Sequence, residues 1–282
     1  MLNVRSRAVF AVPCFPLIAV DVGNSRTKLG FFGAAPAGDG LPIPAETLDL
    51  SGSNWPVEAL RSWLAALPRA AWRVASVNRP AAQRLEAAIA EICPEAERYR
   101  VAWPDLPLMV NVPHPERVGI DRLLGAVAAN RLRHPNRAAV VIHVGTAITV
   151  NLVTPDGAFA GGAILPGIAL SAQALHDHTD LLPRIEMVEL ADAPPVVGAT
   201  TEWAIASGLF WGAVGAMREL AARLGAAGTT SRGDADIILT GGAAESVAQL
   251  LGPNVRHEPH LVLAGIPVAA SASDEKHAGV EV

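Results

Sequence analysis

Lysine is nearly missing from this 282-residue chain. Lys28 and Lys276 are the only two, against twenty arginines. A chain that avoids lysine draws notice to the one it keeps inside a glycine-containing turn. Cysteine is equally scarce, with only Cys14 and Cys93. Two residues build no disulfide framework, and neither sits in a metal-ligand pair. The expected location is therefore the reducing cytoplasm. A basic surplus is also absent, since the net charge is -5. A binder of nucleic acid needs a basic face, so no nucleic-acid partner is expected. No apolar run reaches the ~18–20 residues of a membrane span, so no membrane partner is expected either. The opening "MLNVRSRAVFAVPCFP" has two arginines and a short apolar run. Pro13 and Pro16 break that run, and no small-residue cleavage site precedes the first strand, so it reads as an extended start rather than a signal peptide.

What is present is a large apolar fraction. Hydrophobic residues make up 51% of the chain, enough for a substantial core and against disorder. The length suits one large domain or two ordinary ones. "LIAVDVGNSRTKLGFF" reads as strand, turn, strand. "PVEALRSWLAAL" has helical apolar spacing. "WRVASV" is a short strand, "PAAQRLEAAIAEI" a helix opened by Pro80, and "RYRVAWP" another strand. "GIDRLLGAVAANRL" is strongly helical. "VVIHVGTAITVN" is a second strand–turn–strand unit, continued by "DGAFAGGAILPGI". A loop-rich segment with Pro166, Pro183, Pro194 and Pro195 follows. "TEWAIASGLFWGAVGAMRELAARLG" is a long helix, and its Gly208, Gly212 and Gly215 face suits close packing or a subunit contact. "ADIILTGGAAESVAQLLG" is strand, glycine turn, helix. "HLVLAGIPVAA" is read as a short closing element.

Strands alternating with helices predict an α/β fold. "VDVGNSRTKLGFF" and "IHVGTAITVNLV" also echo each other about 120 residues apart, which predicts two related halves, each of about one domain length. In the first turn, Asp21 ends a strand that holds its carboxylate rigidly. Gly23 permits close backbone approach. Turn N–H groups and small hydroxyls can cradle phosphate oxygens. Lys28 adds charge, and Asp21 is a candidate water-mediated Mg²⁺ ligand. In the second turn, Thr146 is the corresponding phosphate donor. An ordinary hairpin turn competes with both readings. The helix expected after Gly242 offers a positive dipole end. In "ERVGIDRLLGAVAA", Asp121 is a candidate general base with Arg122 beside it to grip an anion. An acid in a first helical turn is favoured by the dipole in any case. "HDHTD", from His176 to Asp180, matches no zinc spacing and reads as a solvated loop.

Together these blocks resemble the type III pantothenate kinase family. "DVGNSRTKLGFF", "VASV", "ERVGIDRLLGAVAA", "GTAITVNLVTPDGAFAGGAILPGI", "LLPRIE", "TTEWAIASGLFWGAVGA" and "LTGGAAESVAQLL" occur in the family's order. The resemblance implies two ribonuclease-H-like domains of the acetate and sugar kinase, heat-shock 70 and actin superfamily around a cleft. The first would span 17–118 and the second 119–268, with 1–16 and 269–282 as extensions. It also implies phosphorylation of pantothenate by ATP to 4′-phosphopantothenate, the first step of coenzyme A synthesis. The implied enzyme is a cytoplasmic homodimer using Mg²⁺ and K⁺ or NH₄⁺. Asp21, Val22, Gly23, Asn24, Ser25, Arg26, Thr27 and Lys28 would bind ATP, as would Thr146. Gly119, Ile120, Asp121, Arg122 and Thr201 would bind pantothenate, with Asp121 taking the hydroxyl proton.

Three positions depart from the family pattern. His143 and Asn151 stand where Asp is usual, the first at the monovalent-cation position, and Val112 stands where a tyrosine is common near the substrate. An imidazole nitrogen does not suit K⁺, and a protonated one repels it. The expectation is an imidazole in place of the ion. Two alternatives remain: a non-catalytic or regulatory relative like the Bvg accessory factor proteins, and a kinase for another small alcohol.

Overall fold

A computed structural model describes residues 15–52, 54–186, 193–228 and 235–278. The opening extension through residue 14, Cys14 included, lies outside them. Two five-stranded sheets carry the fold. The first is built from β1 (Leu17–Val22), β2 (Arg26–Phe32), β3 (Glu46–Ser51), β4 (Ala71–Ser76) and β5 (Arg98–Arg100), in the order β3-β2-β1-β4-β5. The second uses β6 (Ala139–Val144), β7 (Ala147–Val153), β8 (Phe159–Pro166), β9 (Asp236–Thr240) and β10 (Val255–His257), in the order β10-β9-β6-β7-β8. Read from the other edge, that is the same order. The pairing directions also match. β1 pairs antiparallel with β2 and parallel with β4; β6 pairs antiparallel with β7 and parallel with β9. The echo in the sequence is therefore a repeat of the whole sheet, and Asp21 and His143 each occupy the fifth position of the equivalent strand.

Each sheet has a helical layer on one face. α1 (Val57–Ala65) and α2 (Arg79–Ile92) bury Leu60, Leu85 and Ile89 against Ile18, Val20, Leu29 and Trp72. Asn78 caps α2 by accepting from the N–H of Ala81 at 3.1 Å, and Pro80 takes an early position where its missing N–H costs nothing. In the second sheet, α5 (Thr201–Ala227) and α6 (Glu245–Leu251) cover Val140, Ile142, Val144, Ile148 and Val150 with Phe210, Met217 and Val247.

The described residues form two compact units: those of 15–107, 116–131 and 262–278, and those of 108–115 with 132–261. α3 (Ile120–Leu132) groups with the first unit through residue 131, as does α7 (Leu261–Ala278) from residue 262. Both helices are buried over long continuous runs, 123–129 in α3 and 261–270 in α7. Ile120, Leu123, Leu124 and Ala126 to Ala129 are buried, as are Leu261 to Leu263 and Ile266. They meet at Gly265, where a Cβ would stand 2.3 Å from the Leu124 carbonyl. That close crossing demands glycine.

Two expectations change, and a third is made definite. The closing "HLVLAGIPVAA" belongs to the 18-residue helix α7, with Pro267 inside it. The segment after Pro166 contains α4 (Ile168–Asp177). The helix expected after Gly242 begins at Glu245. No helix among the described residues is long and apolar enough to cross a membrane.

Candidate active site

Strand alternation sets one charged row on the first sheet. Val20, Val22, Leu29 and Leu50 point into the α1/α2 core, so Asp21, Lys28 and Asp49 point to the other face. Register aligns them: Asp21 pairs with Lys28, and Lys28 with Asp49. One lysine thus stands between two carboxylates on adjacent strands, a favourable cross-strand arrangement. Reading the sequence misses Asp49, although the alternation of "ETLDLS", with Leu48 and Leu50 inward, carries the signal.

The Asp21 pKa is pushed up to about 7 from its ordinary 3.8. Loss of water around the carboxylate is the main cause, followed by the negative field of Asp121. Lys28 pulls the value down and Asp49 adds a smaller push upward. Asp121 is thus within electrostatic reach of Asp21, although 100 residues separate them. It sits in the first turn of α3, where its Oδ1 accepts the N–H of Arg122 at 2.9 Å. A Cβ on residue 119 would lie 2.5 Å from that oxygen. Gly119 is therefore a glycine because the Asp121 carboxylate folds back over it. The Arg122 guanidinium has its pKa lowered by burial, with Asp121 opposing the shift. Ile120, between them, is 9% exposed and packs inward.

The turn between β1 and β2 is closed by the Gly23 N–H donating to the Arg26 carbonyl at 2.9 Å. Asn24 and Ser25 are exposed at its tip. Val22 and Thr27 are cross-strand partners with 0% and 3% exposure. Of the expected ATP-binding stretch Asp21–Lys28, these two can offer a ligand only backbone groups.

The matching row on the second sheet holds no carboxylate and no lysine. His143 pairs with Thr149 on one side and Thr240 on the other. Thr149 and Asn151 lie on the face away from α5, because Ile148 and Val150 point toward it. Asn151 is 1% exposed, and its Nδ2 donates to Thr149 Oγ1 at 3.0 Å and to the Val141 carbonyl at 3.4 Å. Burying a neutral, hydrogen-bonded amide avoids the cost of burying a charge. The His143 ring curls toward the turn: its Nε2 lies 3.6 Å from a Cβ built on Gly145. Two glycines hem that turn in. The Gly167 N–H donates to the Thr146 carbonyl at 3.0 Å, and side chains at 167 or 241 would collide with backbone of the turn or of Val144. Thr146 itself is exposed.

Thr201 opens α5 behind the cap Thr200, whose Oγ1 accepts the Trp203 N–H at 3.3 Å. Val112 lies in the second unit, with a methyl 3.6 Å from a Cβ built on Gly161. Asp21 to Lys28 and Gly119 to Arg122 thus share the first unit; His143, Thr146 and Thr201 share the second. The "HDHTD" stretch gathers no metal site: among the described residues no group of three His, Cys, Asp or Glu side chains could hold a metal ion. His176 Nδ1 lies 3.0 Å from the Leu182 carbonyl instead.

Comparison with known proteins adds independent weight. The family model described as type III pantothenate kinase matches residues 17–223. A type III pantothenate kinase of Rhodopirellula baltica is 38% identical over 195 residues, 67% of this chain and 68% of the relative. One of Desulfosudis oleivorans is 28% identical over 275 residues, 92% and 100% respectively. Among solved structures, the activator of the 2-hydroxyisocaproyl-CoA dehydratase from Clostridium difficile covers 94% of this chain and 98% of its own. Its identity is 12% and its TM-score 0.47, too loose a likeness to bear on function. The matched stretch contains the β1–β2 and β6–β7 turns and the Gly119–Arg122 segment, and this chain belongs to the type III pantothenate kinase family.

Proposed function

We infer that the protein transfers the γ-phosphoryl group of ATP to pantothenate, giving 4′-phosphopantothenate and ADP. The observation that carries this reading is the pair Asp21 and Asp121, two carboxylates coupled through space within one unit. Phosphoryl transfer needs charge neutralisation, alignment and an acceptor for the hydroxyl proton. Asp121 is the acceptor, and Arg122 and the Gly119–Ile120 backbone orient the substrate. The turn from Asp21 to Lys28 and Thr146 contact the phosphates, and Thr201 contacts pantothenate. The Asp21 region fits a hard divalent cation, since its burial and acidic neighbours penalise the bare carboxylate. Mg²⁺ held by Asp21 would neutralise charge on the phosphates. The non-catalytic alternative is not favoured: both relatives are named as kinases, and both carboxylates are kept. The protein is read as a cytoplasmic homodimer.

The monovalent-cation position is read as filled by the His143 imidazole. Pantothenate-dependent ADP release with Mg-ATP should then be the same, within about twofold, in Na⁺, K⁺ and NH₄⁺ buffers, since direct coordination differences are worth more than the ~0.4 kcal/mol that a twofold change represents. His143→Asp should create a K⁺ requirement. Strong K⁺ activation of the unaltered protein would overturn the replacement. No turnover in any buffer, from folded protein, would sink the kinase reading itself.

The Asp121 carboxylate folded over residue 119 makes a further prediction. Gly119→Ala should displace that carboxylate and lower kcat by about 100-fold, the scale of a roughly 1 Å misplacement. Steady-state kinetics beside a circular-dichroism melt would check it. Full activity would show that the carboxylate need not lie there.

A further inference from the structure

The block "VASV", Val74 to Val77, is given no role by phosphoryl transfer itself. It ends β4 and leads into α2. Trp72 and Val74 point into the α1/α2 core, so Arg73 and Ala75 lie on the other face of the sheet. Ala75 is the cross-strand partner of Asp21 on that face. Val77 follows it, one residue past the end of the strand.

Val77 is held from both sides. Its N–H donates to the Val22 carbonyl at 3.0 Å, which carries the β1–β4 pairing up to the β1–β2 turn. Ser76 Oγ donates to the Asn78 carbonyl at 3.0 Å and accepts the Asn78 N–H at 3.1 Å. Asn78 in turn caps α2. The backbone that carries the valine is therefore fixed. Its side chain stays 36% exposed, whereas Trp72, Val74 and Ala75 are at most 2% exposed. A single exposed valine needs no explanation by itself. Its position gives it one. Val77 Cγ1 lies 3.5 Å from a Cβ built on Gly119, and Asp121 Oδ1 lies 2.5 Å from the same point. The methyl and the carboxylate oxygen are thus no farther apart than those two distances together. One fixed, exposed valine borders both the β1–β2 turn and the Asp121 carboxylate, all within the first unit.

We propose that Val77 is the specificity-determining contact for the geminal methyl groups of pantothenate. The assignment rests on the kinase reading and names what that site selects. Pantothenate carries its methyls on the carbon next to the one bearing the phosphorylated hydroxyl. A hydroxyl roughly 2.7 Å from the Asp121 carboxylate therefore brings those methyls within the ~4 Å contact range of a side chain so near. Packing them on the valine removes apolar surface of both partners from water. Lys28 and Arg122 respond to charge and cannot make this distinction. A primary alcohol without the methyls gains nothing at Val77, so this residue separates pantothenate from other small alcohols.

The test compares pantothenate with the analogue that has hydrogens in place of the geminal methyls, by ADP release from Mg-ATP. The unaltered protein should prefer pantothenate at least about tenfold in kcat/KM, the scale of one methylene in an apolar pocket. In Val77→Ala that preference should fall to about threefold or less, with KM for ATP kept within about twofold. Val77→Thr, which keeps the shape and adds a hydroxyl, should lose preference as well. Circular-dichroism melts check that both variants fold. A variant that slows both substrates by the same factor would show a purely structural role and overturn the proposal, as would undiminished preference in either variant. Equal use of the two substrates by the unaltered protein would overturn it and leave the kinase reading standing. No turnover of either substrate by the folded, unaltered protein would sink the kinase reading and this one with it.

Discussion

Asp121→Asn is expected to abolish pantothenate phosphorylation while leaving the fold intact. Asparagine keeps the Oδ1 that accepts the Arg122 N–H, so the first turn of α3 retains its hydrogen bond. It also fits the space that Gly119 leaves open. What disappears, on the role proposed for Asp121, is the ability to accept the hydroxyl proton. Loss of a positioned general base lowers kcat by about 10²–10⁴-fold. KM for pantothenate and the Kd for ATP should change far less, because binding geometry is kept. Steady-state kinetics and ATP titration calorimetry would separate the two. A variant that retains more than a tenth of kcat would remove Asp121 from the chemistry.

The second large effect concerns stability. Asp21→Asn should make the protein inactive yet more stable at alkaline pH. The Asp21 pKa is raised to about 7 from 3.8, so the folded state holds its proton more tightly than the unfolded state. Below pH 3.8 both states are protonated and the group costs nothing. Between about pH 4 and 7 the unfolded state ionises first, and native stability falls with rising pH. Above about pH 7 the cost is complete, at most about 4 kcal/mol. An asparagine at this position never ionises, so the variant's advantage should grow from near zero at about pH 4 to its maximum by about pH 8. Denaturant titrations across that range would check it. Magnesium should raise the melting temperature of the unaltered protein at alkaline pH, and not that of the variant. Equal stabilities there would show that burial does not disfavour the Asp21 charge. An equal magnesium response would place the metal elsewhere.

Some of this is legible because it is written locally. The two hairpins carry alternating apolar residues and glycine turns, and these are short-range signals. The helix of "GIDRLLGAVAANRL" is likewise local. α7 reads as short in the sequence for a physical reason: apolar nearly all round in its first turns, it shows no 3.6-residue periodicity, and Pro267 interrupts it. α4 is short and sits in a proline-bounded segment, and its apolar face is only Ile168, Ala172 and Leu175, of which Ala172 alone is fully buried.

The sequence alone determined the repeated strand–turn–strand units, the acid at the end of the first and the imidazole at the matching place in the second. Backbone alternation and turn chemistry act over a few residues, so the chain itself carries that information. Only the tertiary structure decided that Asp21, Lys28 and Asp49 form one row, because register depends on which strands pair. Only folding brought Asp121 into the field of Asp21 and drove that carboxyl's pKa toward 7, since desolvation and through-space charge have no counterpart in chain order. Folding also decided that Val22 and Thr27 are buried, and that the glycines of α5 face open water.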